Sequence, residues 1–122
     1  MSIAEDVVKT PSFSWKPGAL AVPANGYRIR VRVTDANVDQ PMVQVGTIPV
    51  LKDWGTIGTL IGLINEHPRV FRITKMGVGQ SADPKKRAHV EVSLHDATGF
   101  HAEGKKLGDV LSRVLIHLDQ AG

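Results

Sequence analysis

Cysteine is absent from the 122 residues of this chain. That absence excludes disulfide bonds, thiolate-bound metals, iron–sulfur clusters and cysteine nucleophiles. Aromatic residues make up only 5%, so few side chains are available to stack on nucleic-acid bases. No apolar run reaches the roughly 18 residues that a membrane-spanning helix needs. The amino-terminal residues lack a basic region followed by an apolar one, so we expect a cytoplasmic protein without a secretory signal.

The composition indicates one folded domain with an amino-terminal arm. Apolar residues make up 42% and charged residues 22%, which is ordinary for a globular protein. In residues 1–26, proline recurs every six positions, and proline disfavours helix interiors and central strands. Phe13 and Trp15 lie between these prolines. We therefore predict an extended arm over 1–26, packed on its own domain or on a neighbouring subunit, and a single α+β domain over 27–122.

The positive charge is concentrated in two segments. The net charge is +3. Residues 27–33 hold three arginines and no acid, and residues 69–90 hold six bases and one acid, Asp83. If these segments are neighbours in space, they form one patch that attracts nucleic acid or an acidic protein face. The alternative is that the bases only keep a small domain soluble.

Four segments show the pattern of strands. Residues 27–34 alternate apolar residues with arginines, which predicts a strand with Ile29 and Val31 facing inward. Residues 42–50 lie between two prolines, which favours an edge strand. Residues 70–76 predict a strand with Phe71 and Ile73 on the core face. Residues 87–95 alternate regularly, with the apolar side chains inward.

Two segments show helical spacing. Asp53 is a suitable amino-terminal cap for a helix over 54–67, which Pro68 ends. Apolar residues over 107–118 recur as on one helix face. The resulting order predicts an antiparallel sheet of four or more strands, with two helices on one face. Its two halves are compatible with an internal ββα–ββα repeat.

The first helix carries three glycines on one side, at 55, 58 and 62. Each glycine costs a helix about 1 kcal/mol relative to alanine, so a close approach by another element should offset that cost. The competing interpretation is that 55–58 is a loop and that the helix begins later. We predict a homo-oligomer, in its simplest form a dimer, whose interface is formed by these residues: Trp15, Trp54, Gly55, Gly58, Gly62 and Ile116.

Catalytic and metal-binding signatures are weak. No Gly-x-Ser-x-Gly or His-x-x-x-His motif is present. His95 and Asp96 are sequence neighbours, which strand geometry points apart. Several histidines and acids fall within 89–103, where exposed strand histidines are the simpler interpretation. The glycine-rich segment 77–86 lacks the ending of a P-loop. We therefore expect a protein that is not an enzyme and has no metal or cofactor.

Basic residues remain as the main candidates for a site. Arginines at alternate strand positions stand about 6.6–6.8 Å apart, close to the spacing of successive phosphates. Pairing with acids such as Glu91, Asp39 or Asp35 would instead make them structural. The predicted nucleic-acid contacts are Arg28, Arg30, Arg32, Arg72, Lys85, Lys86 and Arg87. The function we expect is non-enzymatic binding of nucleic acid by a basic sheet face or hairpin. The alternative is an oligomeric protein-interaction module, such as an inhibitor or a particle component, with no nucleic-acid role.

Residues 90–111 contain an Asp-x-x-Gly turn, then Glu103-Gly104, then Leu107 at the start of a helix. This stretch resembles the core of HicB-type antitoxins, although Lys105 and Lys106 stand where that family has a capping residue. The resemblance implies a small mixed sheet with a helix behind it, and a role in binding a basic toxin or DNA.

Overall fold

The computed structural model describes residues 2–26, 29–79 and 82–120. Within these ranges the helices are α1 (Ile3–Val8), α2 (Pro41–Gln44), α3 (Trp54–Asn65) and α4 (Leu107–Gln120). The strands are β1 (Leu20–Pro23), β2 (Val31–Arg32), β3 (Thr47–Pro49), β4 (Val70–Val78), β5 (Ala88–Leu94) and β6 (Gly99–Gly104). A 3₁₀ turn, Pro84–Lys86, precedes β5. The chain is therefore α+β.

The described strands form two antiparallel sheets of three strands each. In sheet A, β1 lies between β2 and β3, and in sheet B, β5 lies between β4 and β6. The expected single sheet of four or more strands is not found in this part of the chain. The predicted ββα repeat is not confirmed either. In such a unit the two strands would pair, whereas β2 and β3 are separated by β1.

Sheet B follows from the alternation of β5. Its apolar residues are buried, as predicted, and its polar residues face outward. The turn after β5 is held by Asp96, whose carboxylate accepts hydrogen bonds from the amide and hydroxyl of Thr98. Ala97 adopts a left-handed conformation, with φ of 69°. These contacts reverse the chain and bring β6 alongside β5.

Both long helices pack on the inner face of sheet B. Helix α3 contacts β4 and α4, and α4 contacts β5 and β6, around one core of aliphatic side chains. The predicted cap is confirmed, since the Asp53 carboxylate accepts a hydrogen bond from the Thr56 amide at 3.0 Å. The predicted amphipathic helix over 107–118 is also confirmed, with its apolar side buried.

Strand β4 departs from simple alternation. Val70 pairs with Leu94, but Arg72 pairs with the next residue, Ser93, so the register shifts between them. This irregularity turns Phe71 away from the core, and Phe71 is 61% exposed. The prediction that Phe71 faces inward is wrong for this reason. Ile73, predicted on the same face, does pack against the core.

Residues 2–26 contain regular structure rather than a wholly extended arm. Helix α1 packs on α4, and β1 is the central strand of sheet A. Trp15 is only 7% exposed and lies in a second, smaller core beneath sheet A. The predicted strand over 42–50 is likewise divided into α2 and β3. In the predicted strand over 27–34, Ile29 is 67% exposed instead of facing inward.

Two glycines allow segments to cross closely. A Cβ atom on Gly55 would collide with the carbonyl oxygen of Gly18, and one on Gly108 would collide with the backbone of Leu51. Gly55 therefore lets the segment before β1 lie against the first turn of α3. Gly58 and Gly62 differ, because no described atom beyond the adjacent residues and the helix backbone lies within 4 Å of a Cβ built there.

Candidate nucleic-acid interface

One end of sheet B collects basic side chains from two separate segments. Ala88 on β5 pairs with Gly104 on β6, so the residues just beyond this pair emerge at the same end of the sheet. The 3₁₀ turn also contacts β6. We call this cluster the basic end. Its five members, all exposed, are Lys85, Lys86, Arg87, Lys105 and Lys106.

The loop before β5 is ordered by hydrogen bonds to Asp83. The Lys85 amide donates to the Asp83 carboxylate at 3.0 Å, and the Lys86 amide donates to its carbonyl oxygen at 3.0 Å. The Gly79 amide donates to the Arg87 carbonyl oxygen at 2.6 Å. These bonds fix the backbone from which the first three cations project. The basic end is thus presented by a turn of defined geometry.

Two further acids belong to the neighbouring elements. Glu103 is engaged by His101, whose Nε2 lies 2.7 Å from the Glu103 carboxylate. Asp109 lies in the first turn of α4. That helix begins directly after Lys106, and the Val110 amide donates to the Lys106 carbonyl oxygen. The amino end of a helix carries partial positive charge, which adds to the potential of the basic end.

The side chain of Arg32, predicted as a nucleic-acid contact, binds two other segments of the chain. Its guanidinium donates to the Asp53 carboxylate through Nη1 at 2.6 Å and Nη2 at 3.1 Å. Nη1 also donates to the Gly18 carbonyl oxygen at 2.9 Å. The structure therefore joins β2, the segment before β1 and the cap of α3 through one side chain. The paired acid is Asp53, not one of the three acids suggested by the sequence.

The charge states of this pair are reinforced by their contact. The hydrogen bond from Arg32 lowers the pKa of Asp53 below its ordinary value, with help from the Thr56 amide and hydroxyl. The hydrogen bond to Asp53 raises the pKa of Arg32. Both groups stay ionised near neutral pH, so the guanidinium remains bound to Asp53.

The other predicted contacts are spread over the molecule. Arg72 pairs with Ser93, and Ser93 lies six positions along the chain from Arg87, which corresponds to roughly 20 Å in a strand. Arg72 stacks on its neighbour Phe71, with 5.8 Å to the ring centroid. Arg30 is exposed next to β2, and Arg28 lies outside the described residues. Among the predicted contacts that the structure describes, it brings together only Lys85, Lys86 and Arg87.

Lys105 and Lys106 were missed as site residues. The sequence does contain the signal, because the turn at Asp96–Thr98 fixes which residues of the following strand lie opposite β5. Counting outward from that turn places Lys105 near Arg87. Without β6 in the predicted topology, that count could not be made.

The predicted oligomer interface is divided between core and surface. Trp15 lies in the smaller core, where it meets Phe13 edge to face at 5.2 Å between ring centroids. Ile116 packs against the main core, and Gly55 is covered by Gly18. These three residues are therefore used within the chain. Three remain on the surface: Trp54, Gly58 and Gly62.

The outer face of sheet B holds a histidine between two carboxylates. His101 Nδ1 lies 3.4 Å from Glu91, and its Nε2 contacts Glu103. Even so, no three histidines or acids among the described residues are arranged to hold a metal ion. In the same residues, no helix is long and apolar enough to cross a membrane.

A partly buried cluster joins Ser12, His67 and Asp119. Both the amide and the hydroxyl of Ser12 donate to the Asp119 carboxylate, and His67 Nε2 lies 2.9 Å from it. The Arg69 amide donates to His67 Nδ1 at 3.1 Å, so the imidazole proton is on Nε2. The carboxylate separates histidine from serine, and this order provides no base for a serine nucleophile. The cluster ties the amino-terminal segment to α4.

Comparisons with protein-family models, curated proteins and solved structures found no match. The resemblance of residues 90–111 to HicB-type antitoxins stays a prediction. The described residues do run strand, turn, strand and helix through this stretch.

Proposed function

We propose that this protein binds nucleic acid through the basic end of sheet B, by contacts to the phosphate backbone and without catalysis. The observation that carries the proposal is the convergence of five exposed cations from the two segments that flank the β5–β6 hairpin. Like charges so close together repel one another, and a polyanion would offset that repulsion. We place this binding in the cytoplasm.

The contacts should be independent of base sequence. Backbone contacts position a protein, whereas base contacts specify sequence. The large exposed aromatic side chains among the described residues are Trp54 and Phe71. Trp54 begins α3, and Phe71 lies at the opposite end of sheet B. The basic end therefore offers charge without a platform for stacking bases.

The test is fluorescence anisotropy with labelled 20-nucleotide DNA, the matching RNA, and a 20-base-pair duplex. The test variant is Lys86→Gln with Lys106→Gln. The control variant, Lys52→Gln with Lys75→Gln, removes two exposed lysines outside the basic end. We expect the test variant to lose about tenfold in affinity for at least one probe, and the control to stay within about twofold of wild type.

Two results would reject the proposal. One is no measurable binding of any probe by the wild-type protein at low salt. The other is an equal loss of affinity in the test and control variants, because binding would then depend on net charge alone. Thermal unfolding of each variant establishes that both remain folded.

A further inference from the structure

Helix α3 presents one side that no other described segment of the chain covers. Trp54, Gly58 and Gly62 follow one another at intervals of four residues, so they share a helix face about 80° wide. We call these three residues the open face. Trp54 is 73% exposed, and both glycine positions have empty space where a side chain would begin. The face thus carries a large aromatic projection beside a depression.

The depression belongs to a groove of about 390 Å³ along α3. Its floor includes both glycines of the open face, with Thr59 and Leu63 beside them. Gly55 lies outside the open face, because the backbone of Gly18 covers it. Glycine in an exposed helix is unfavourable relative to alanine, and no contact of the described chain offsets that cost at Gly58 or Gly62.

We infer that the open face of α3 pairs with the same face of a second copy of the chain. The two helices run antiparallel about Gly58, and Trp54 of each copy covers Gly62 of the other. Projection and depression lie eight residues apart, about 12 Å along the helix. An antiparallel two-fold arrangement brings both matched pairs into contact at once, as an isologous interface requires.

The charges at the groove support a second copy as the occupant. Lys16 lines the groove from the segment that crosses the first turn of α3, whereas Glu66 follows the last turn. In the antiparallel arrangement, the lysine end of one copy meets the glutamate end of the other. A parallel arrangement would instead place like charges together.

The expected contact area indicates a weak dimer. A tryptophan buries about 150–250 Å², so two of them with the surfaces that they cover account for about 600–1,000 Å². Stable interfaces bury about 1,200–2,000 Å². We therefore expect a dimer that dissociates on dilution and is populated at high micromolar concentration.

The experiment is sedimentation equilibrium of the full chain at about 10 to 500 μM. This range covers the dissociation constants expected of a weak dimer. Wild type should shift from 13.2 kDa toward twice that mass. Trp54→Ala, which removes the projection, and Gly62→Leu, which fills the depression, should each remain monomeric. The control Phe71→Ala removes an exposed aromatic side chain elsewhere and should dimerise as wild type does.

Mixing the two defective variants gives the sharpest result. In a mixed pair, the alanine of one copy faces the introduced leucine, while the remaining tryptophan faces the remaining glycine. Both contacts are then compatible, so the mixture should form a heterodimer although neither variant associates alone. A wild-type protein that stays monomeric at 500 μM, or a mixture that stays monomeric, overturns the inference. Since a Cβ at Gly62 meets open space, Gly62→Leu should remain folded, which thermal unfolding verifies.

Discussion

Arg32 and Lys86 both come from basic stretches of the sequence, but the fold treats them differently. The Arg32 guanidinium donates hydrogen bonds to Asp53 and Gly18, so this side chain connects segments of the fold. Lys86 is exposed at a sheet end, beside cations that arrive from another strand. A basic stretch therefore does not define a binding site by itself. The availability of each charge depends on tertiary partners, and these must be located before a charge is assigned to a ligand.

The largest effect that this comparison predicts is on nucleic-acid affinity. Replacing Lys86 and Lys106 with glutamate reverses two charges at the basic end, where phosphates would approach. We expect affinity to fall about a hundredfold at low salt, with the unfolding free energy changed by less than about 0.5 kcal/mol, as for exposed positions. Anisotropy titration and urea unfolding measure the two quantities. Unchanged affinity would show that the basic end binds nucleic acid no better than the Arg32 region does.

The second-largest effect is a loss of stability when the partner of Arg32 is removed. Asp53→Ala removes both the cap of α3 and the acceptor for Arg32. We expect a loss of about 1–2 kcal/mol in the unfolding free energy, mainly from the cap. Nucleic-acid affinity measured at a temperature where the variant is folded should be unaltered. Greatly weakened binding by this folded variant would show that Arg32 and its surroundings contact the ligand.

The pH dependence of stability should carry the signature of the same carboxylate. The pKa of Asp53 is lowered in the folded state, so its contribution is present above its unfolded pKa of about 3.9 and is lost as pH falls through the lower folded pKa. Asp53→Asn should therefore flatten the decline in stability below about pH 4. Part of the decline should remain in this variant, because Asp119 and Asp96 also have lowered pKa values. The unfolding free energy is measured by urea unfolding between about pH 2.5 and 6, in steps of about half a unit. This range includes the pH at which such carboxylates titrate. A slope identical to wild type would contradict the assignment.

The smallest effect is expected at the two exposed arginines that lie apart from the basic end. Arg30→Gln with Arg72→Gln removes two charges that the sequence had assigned to the site. We expect less than about a twofold change in affinity, the consequence of reduced net charge at a distance. Competition with unlabelled oligonucleotide measures it. A loss as large as that of the Lys86 and Lys106 variant would extend the site across the molecule.

The parts of the fold that could be predicted are those specified by local pattern. The buried alternation of β5, the cap at Asp53 and the apolar side of α4 all depend on residues close in sequence. The failures depend on distant partners or on irregular geometry. Phe71 is exposed because β4 shifts register, and Trp15 is buried because it packs with Val33 and Val43 in the smaller core.

The candidate site shows the same limit. Lys85, Lys86 and Arg87 could be found because they are consecutive in sequence. Lys105 joins them through the pairing of β5 with β6, and the guanidinium of Arg32 is bound to Asp53. The position of Lys105 follows from the local turn at Asp96–Thr98 once β6 is recognised as a strand. The contact of Arg32 with Asp53 has no local signal, since it depends on which helix end lies alongside β2.

The salt dependence of binding tests the central claim most directly. For duplex DNA, the slope of log affinity against log salt changes by about one unit for each phosphate contact removed. Between about 50 and 200 mM salt, we predict that Lys86→Gln with Lys106→Gln lowers the magnitude of this slope by about two units. The matched variant Lys52→Gln with Lys75→Gln should leave it unchanged. Equal slopes for wild type and both variants would contradict a phosphate-binding basic end.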